Sequence, residues 1–286
     1  MQFWILQTLN SLSFGALLFL LASGFSLIFG LIRTANLSHG AFFMLGAYIG
    51  VTIYRQVPSL WLACLAAGLT MAILGALMER FLIRALAGNS LLQVLATLGM
   101  SFILADLCLV FWGGDPLPLQ TPDLLRRPLF IGGIRFPAYR LFLIGVASAV
   151  ALALHMLMDR TRLGAMIRAG VDDMQMARAV GIPVSRLLTI VFSLGAAIAG
   201  IGGVLGAPIL SAYPGLDADM LPLALIVVIL GGVGSLLGAF VGSFVIGFIY
   251  TFGTALLPDL AYVILFLPMV LVIAFRPRGL FGRFAP

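Results

Sequence analysis

The chain has 286 residues, of which 62% are hydrophobic and 9% charged, and its mean hydropathy is +1.19. A water-soluble protein of this length needs far more polar surface, so a soluble globular fold is excluded and an integral membrane protein is expected. The net charge of +6 and isoelectric point near 10.0 would suggest nucleic acid in a soluble chain. Here the basic residues, all of them arginine, fit loop anchors at one membrane face, and no nucleic-acid partner is expected.

The opening MQFWILQTLNSLSFGALLFLLASGFSLIFGLIR lacks the basic start of a signal peptide and is too long an apolar stretch for one, so it reads as a first membrane helix. Further apolar runs follow the first, at 9–32, to give 37–54, 60–77, 91–112, 139–158, 187–210, 220–230, 236–257 and 260–275. Runs of about 18 residues cross a hydrocarbon core of roughly 30 Å at about 1.5 Å per residue. Because they are continuous rather than alternating, they predict helices and not a barrel. The fold class is therefore an all-α integral membrane protein, a polytopic bundle of eight or nine transmembrane helices. The number depends on GGVGSLLG, 231–238, which is either a turn between two helices or a break inside one. Cys64 and Cys108 lie within apolar runs and act as small hydrophobes, with no disulfide framework and no metal site expected.

Charge favours nine crossings with the N-terminus outside and the C-terminus inside. Arg33, Arg80, Arg84, Arg160, Arg162, Arg168, Arg178, Arg186, Arg276, Arg278 and Arg283 then fall inside, against Arg55, Arg126, Arg127, Arg135 and Arg140 outside. Eleven against five obeys the positive-inside rule. Asp115, Asp123, Asp217, Asp219 and Asp259 gather on the outer face. The segment 113–138 carries prolines and polar residues and predicts a largely non-helical outer excursion. Residues 1–286 form a single transmembrane domain, and no GxxxxGK[ST] phosphate loop marks an ATPase domain.

One long polar stretch, about 159–187, interrupts this pattern with Asp159, Arg160, Arg162, Arg168, Asp172, Asp173, Arg178 and Arg186. Val171, Met174, Ala177 and Gly181 recur at helical spacing, and Asp172, Asp173, Gln175 and Arg178 fill the opposite arc. That predicts one short amphipathic helix on the inner face, stopped by Gly181 and Pro183. On the residues alone, a solvated inner loop explains it as well.

The stretch RAGVDDMQMARAVGIPVSRLLTIVFSLGAAIAGIGGVLGAP resembles the coupling loop and following helix of the branched-chain amino-acid permease family of ABC importers, the LivH-like membrane subunits. ANLSHGAFFMLGAYIG, LATLGMSFILADLCLVFWGGDP, ILGGVGSLLGAFVG and RPRGLFG are similar to other stretches of the same family, in the same order. The resemblance implies a permease subunit of an ATP-driven, binding-protein-dependent importer in a bacterial cytoplasmic (inner) membrane. The implied substrate is a branched-chain or other hydrophobic amino acid, with urea or a short amide as alternatives. It also implies two ATP-binding partner subunits that use ATP and Mg, a second related permease or a second copy of this chain, and a periplasmic solute-binding protein. No cofactor is then bound by this chain itself. Arg168, Ala169, Asp172, Asp173, Ala177, Arg178 and Gly181 become the implied docking residues for the ATPase.

For the translocation path, Asn36, Ser38, His39 and Gly40 stand at a helix start, with Asn36 or Ser38 suited to cap it. Gly231, Gly232, Gly234 and Ser235 could expose backbone groups to a polar substrate. Asp106 lies in the middle of an apolar run, where a carboxyl group is expected to face the bundle interior. It is the one feature that would favour an ion-coupled secondary transporter instead. His155 fits a snorkelling side chain and Glu79, Arg80 and Arg84 a solvated cluster at the inner edge. No HExxH, GxSxG or CxxC pattern occurs, so no catalytic residue is expected and the chain is not read as an enzyme.

Overall fold

The computed structural model describes residues 2–131, 134–276 and 279–282. In lipid every backbone polar group must be satisfied internally, and the apolar runs do this as helices. The chain forms α1 (Gln2–Ile32), α2 (His39–Gln56), α3 (Leu60–Met78) extended by a π-helical turn (Glu79–Ile83), and α4 (Ser90–Trp112). A one-turn α5 (Asp123–Arg126) and a hairpin of β1 (Pro128–Ile131) and β2 (Ile134–Pro137) follow. Then come α6 (Ala138–Arg160), α7 (Arg162–Asp172), α8 (Met174–Ala179), α9 (Val184–Leu210), α10 (Leu216–Gly231), α11 (Leu236–Leu256) and α12 (Ala261–Phe275). The hairpin is antiparallel and pairs Leu129 with Phe136. Arg278 and Arg283, counted above with the inner arginines, lie outside the described residues.

Among the described residues, six helices are long and apolar enough to cross a membrane: α1, α3 with its π turn, α4, α6, α9 and α11. This makes the chain a multi-pass membrane protein. α2, α10 and α12, at 18, 16 and 15 residues, fall outside that set. α2 and α10 also share an unusual start. His39, fully buried, bonds the carbonyl of Leu21 at 3.0 Å, and Leu21 precedes the end of α1 by eleven residues, about 16 Å of helix. The chain therefore turns back into the bundle after α1 before α2 begins. At the start of α10, Asp217 accepts from Ser101 at 3.2 Å, and Ser101 likewise lies eleven residues before the end of α4. Both helices begin among other helices and not at a membrane face.

The glycine-rich 231–238 segment is a turn between two separate helices. Gly232 and Gly234 take positive φ values of 101° and 75°, and the Ser235 side chain caps α11 by accepting from Gly238 N at 3.0 Å.

The polar stretch is two helices and not the single one expected. Asp173 is extended (φ −148°, ψ 107°), and its carboxylate accepts from Gln175 N and Met176 N at 2.8 and 2.9 Å. Aspartate is a poor residue for a helix interior and a strong one for a cap, so it closes α7 and opens α8. Gly181 ends α8 with φ +88°. Its N–H bonds Arg178 O and the N–H of Ile182 bonds Ala177 O, both at 3.0 Å, the paired closure that favours glycine at this position.

Helix α9 is the spine of the bundle and packs against α1, α2 and α3. Its glycines permit this: a Cβ on Gly195 would stand 2.7 Å from the carbonyl oxygen of Gly24 in α1, and one on Gly46 in α2 would stand 2.5 Å from the Gly200 backbone. A second link is polar. Glu79, expected to be solvated, is 1% exposed. It receives Arg84 at 2.6 and 3.1 Å and Thr189 at 2.6 Å, while Arg84 also donates to Ser185 O at 2.8 Å. The π turn brings residues five apart onto one side, which is how Glu79 and Arg84 meet. The cluster ties the end of α3 to the first turns of α9.

Four outcomes are expected from thermal unfolding of the reconstituted protein. Gly99, whose Cβ would meet nothing within 4 Å, gains roughly 0.5–1 kcal/mol on Gly99→Ala from helix propensity. Gly46→Ala has the opposite sign and destabilises by about 1–3 kcal/mol through overpacking. Glu79→Ala costs about 1–3 kcal/mol by stripping two donors of their acceptor. The lower part of that range applies because Arg84 is 37% exposed and partly screened. Arg80→Ala, at an exposed side chain, changes stability by less than about 0.5 kcal/mol.

Candidate functional site

Three groups of residues stand out from a bundle that is otherwise apolar. The first is the surface of α7 and α8. Ile167 and Gly170 are buried, as is Ala177, so these positions seat the helices on the bundle. Arg33, just past α1, donates to Val171 O at 2.8 Å and pins the end of α7. Arg168 is turned toward α6, where it donates to Met158 O and lies 3.3 Å from Asp159. Asp159 also pairs with His155 at 3.1 Å. Of the expected docking residues, Asp172, Asp173, Arg178 and Gly181 lie on the exposed face, Ala169 is half-buried, and Ala177 points inward. Between the charges stand Met176 and Val180, 60% and 69% exposed. Their spacing of four residues places both on one side of the helix, a signal the charged neighbours hide in the sequence.

The second group lies where α2 and α10 begin. The carboxamide oxygen of Asn36 accepts from Ser38 N at 3.2 Å and Ser38 Oγ at 2.6 Å. Ser38 stands at the cap position of α2, but its hydroxyl is used this way and does not cap the helix. Leu37 N donates to Thr97 Oγ1 at 3.1 Å. A Cβ on Gly40 would lie 2.5 Å from the Asp217 carbonyl oxygen, so α2 and α10 touch through backbone. Asn36, Ser38, His39 and Gly40 thus come together with Thr97, Ser101 and Asp217. Asn36 Nδ2 and His39 Nδ1 are buried without a hydrogen-bond partner among the described residues.

Two expectations fail here. Asp106 is exposed on the outer side of α4, among Phe102, Ile103, Leu107 and Val110. The inward side of α4 is Gln93, Thr97, Ser101, Leu104 and Cys108, and Asp106 stands about 200° around the helix from Leu104. Besides Glu79, the carboxylate buried among the described residues is Asp217, 9% exposed, which the sequence places in an outer loop. Gly231, Gly232, Gly234 and Ser235 do not join the group either. Gly231 packs on Gly238, Gly234 packs on Gly30, and the Gly231 carbonyl is taken by Phe281 N at 3.0 Å. Their backbone groups face protein because the turn is closed by the segment after α12.

The third group lines a cavity of about 470 Å³ at the end of the bundle opposite α7 and α8. The starts of α1, α6 and α10, the ends of α9 and α11, and α12 enclose it. Gln7 donates to Thr251 O at 2.8 Å, Arg140 donates to Asn10, and Tyr213 donates to Asp219 at 2.6 Å. From the sequence, Arg140 and Asp219 were no more than outer-face charges. Polar residues at helix ends look like interface anchors until the tertiary fold brings six ends together.

A model of the family described as branched-chain amino acid transport system / permease component matches residues 7–273. The high-affinity branched-chain amino acid transport system permease protein BraD of Pseudomonas aeruginosa is 30% identical over 297 residues, covering 98% of this chain and 96% of that protein. LivH of Escherichia coli, of the same description, is 27% identical over 301 residues with the same coverage. Among solved structures, PsaBC from Streptococcus pneumoniae in complex with Fab aligns with a TM-score of 0.46 and 14% identity, over 93% of this chain and 89% of that one. Since the family match runs through every helix from α1 to α12, the chain belongs to the permease components of branched-chain amino acid transport systems, a family of transport subunits and not of enzymes.

Proposed function

We propose that this chain is the membrane-spanning subunit of an ATP-driven, binding-protein-dependent importer of branched-chain amino acids, and that α7 and α8 dock on a separate ATPase. The observation that carries this reading is a short helix pair that is anchored on the bundle and presents an exposed, mixed apolar and charged face. Arg168 ties α7 to α6, Arg33 fixes the end of α7, and the Glu79–Arg84–Thr189 cluster fixes the helix that follows the pair. Met176 and Val180 supply apolar contact for a protein groove, while Asp172, Arg178 and Arg186 surround them with charge. A displacement of α8 would pass directly into α9, which begins at Val184 and touches α1, α2 and α3.

The reading extends to the rest of the assembly. α2, α10 and α12 join the six longer helices in nine crossings, with the N-terminus outside and α7 and α8 in the cytoplasm of a bacterial inner membrane, as the arginine distribution favours. Two ATPase subunits handle ATP and Mg, a solute-binding protein delivers the amino acid to the opposite end, and a second permease completes the membrane unit. Leucine, isoleucine and valine are favoured over urea or short amides because the relatives at 30% and 27% identity are named for branched-chain amino acids. The ion-coupled alternative loses its support, since Asp106 faces away from the bundle.

The test is uptake of labelled leucine by cells carrying the whole gene cluster. A Met176→Asp, Val180→Asp double variant and a Gly181→Arg variant, each present in the membrane at normal level, are expected to reduce uptake at least tenfold. An ATPase-inactive motor is expected to do the same. Uptake that survives all three changes would sink the docking assignment.

A further inference from the structure

We propose that the cavity at the end opposite α7 and α8 is a zwitterion site, with Arg140 receiving the α-carboxylate and Asp219 the α-ammonium of the transported amino acid. The proposal rests on the functional reading above and adds to it a site and a means of recognition.

The cavity's volume of about 470 Å³ lies within the range of small-ligand pockets, roughly 300–1,000 Å³. Its two charged groups stand on different walls. The start of α6 brings the donor Arg140, which reaches Asn10 of α1, while Gln7 and Asn10 each carry both a donor and an acceptor. Acceptors come from the first turn of α10. One is Asp219. The other is the carbonyl of Ala218, whose usual helical partner four residues on is Pro222, a residue with no N–H to give. Leu17, Ile209, Leu223 and Leu265 supply the apolar remainder.

Arg140 and Asp219 line one cavity, yet no ion pair within 4.0 Å joins either to a group of opposite charge among the described residues. Each is held by a neutral neighbour instead: Arg140 by Asn10, and Asp219 by Tyr213 at 2.6 Å. Arg140 is half-buried while Asp219 is exposed; a half-buried guanidinium without a counterion is costly, and charge-assisted hydrogen bonds are the strong ones. A simple anion would satisfy Arg140 alone and a simple cation Asp219 alone. A free amino acid satisfies both while adding no net charge, and its hydrophobic side chain meets the leucines and isoleucine. A urea or amide carries neither charge.

The intact importer, purified with its ATPases in nanodiscs and without binding protein, allows the test. Thermal stabilisation is measured with millimolar leucine, with 4-methylpentanoate, which lacks the ammonium, and with isoamylamine, which lacks the carboxylate. Leucine alone is expected to stabilise the wild type. Arg140→Gln and Asp219→Asn are each expected to weaken that response by about tenfold or more and to slow ATP-driven leucine uptake in proteoliposomes supplied with binding protein. Each variant's ligand-free thermal midpoint and its level in the membrane are compared with the wild type, which separates a site defect from misfolding. Stabilisation by 4-methylpentanoate as strong as by leucine would mean a merely apolar cavity and would overturn the proposal. So would wild-type leucine response and uptake in both variants. A wild-type importer that takes up no amino acid at all would instead overturn the functional reading on which the proposal rests.

Discussion

The structure depends on the close approach of α9 to α1 and α2. Between helices in lipid there is no hydrophobic driving force, since acyl chains are as apolar as leucine, and association comes from backbone proximity and van der Waals contact. Gly24 against Gly195 and Gly46 against Gly200 bring three helices to distances that any side chain would forbid. With α9 so fixed, its two ends become fixed points. One end receives the polar cluster around Glu79, and the other reaches the cavity through Ile209 and Leu210.

That geometry makes α9 a direct mechanical connection between the two polar ends of the molecule. The helix is 27 residues long, about 40 Å at the α-helical rise. Close-packed contacts of this kind transmit a displacement and do not absorb it. Motion imposed on α8 would therefore arrive at α1 and α2 as movement of a rigid element. Both entry segments, 33–38 and 211–215, end in the interior where Asn36, His39 and Asp217 lie, so a small rotation of α1 or α10 would alter what these buried groups touch.

Much of this was legible in the sequence, for an identifiable reason. A continuous apolar run leaves the backbone no solution but a helix, so every run expected between 9 and 275 is found as one. What periodicity did not reveal was direction. The run at 37–54 was correctly seen as helix, yet nothing local says that it begins inside the bundle, because that depends on the contact of His39 with Leu21. Asp173 shows a different failure. Spacing of the apolar residues through 171–181 supports one helix, but a side chain able to cap both following N–H groups overrides it.

Asp106 and Asp217 mark the boundary between what one sequence can and cannot tell. The rule that intramembrane carboxyl groups face inward selects Asp106, since it sits deepest within an apolar run. The small and polar positions Gln93, Thr97 and Ser101 of the same helix carry a better signal: they share one face at intervals of four, and Asp106 does not lie on it. Asp217 escapes because the apolar run begins at 220 whereas α10 begins at Leu216, so the first turn of the helix reads as loop. A carboxylate in the first turn of a helix is favoured by the helix dipole, and when that turn lies inside the bundle the same residue becomes the acceptor that Ser101 finds. The interior site is thus made by where two helices start, a property of the assembled fold that no single run contains.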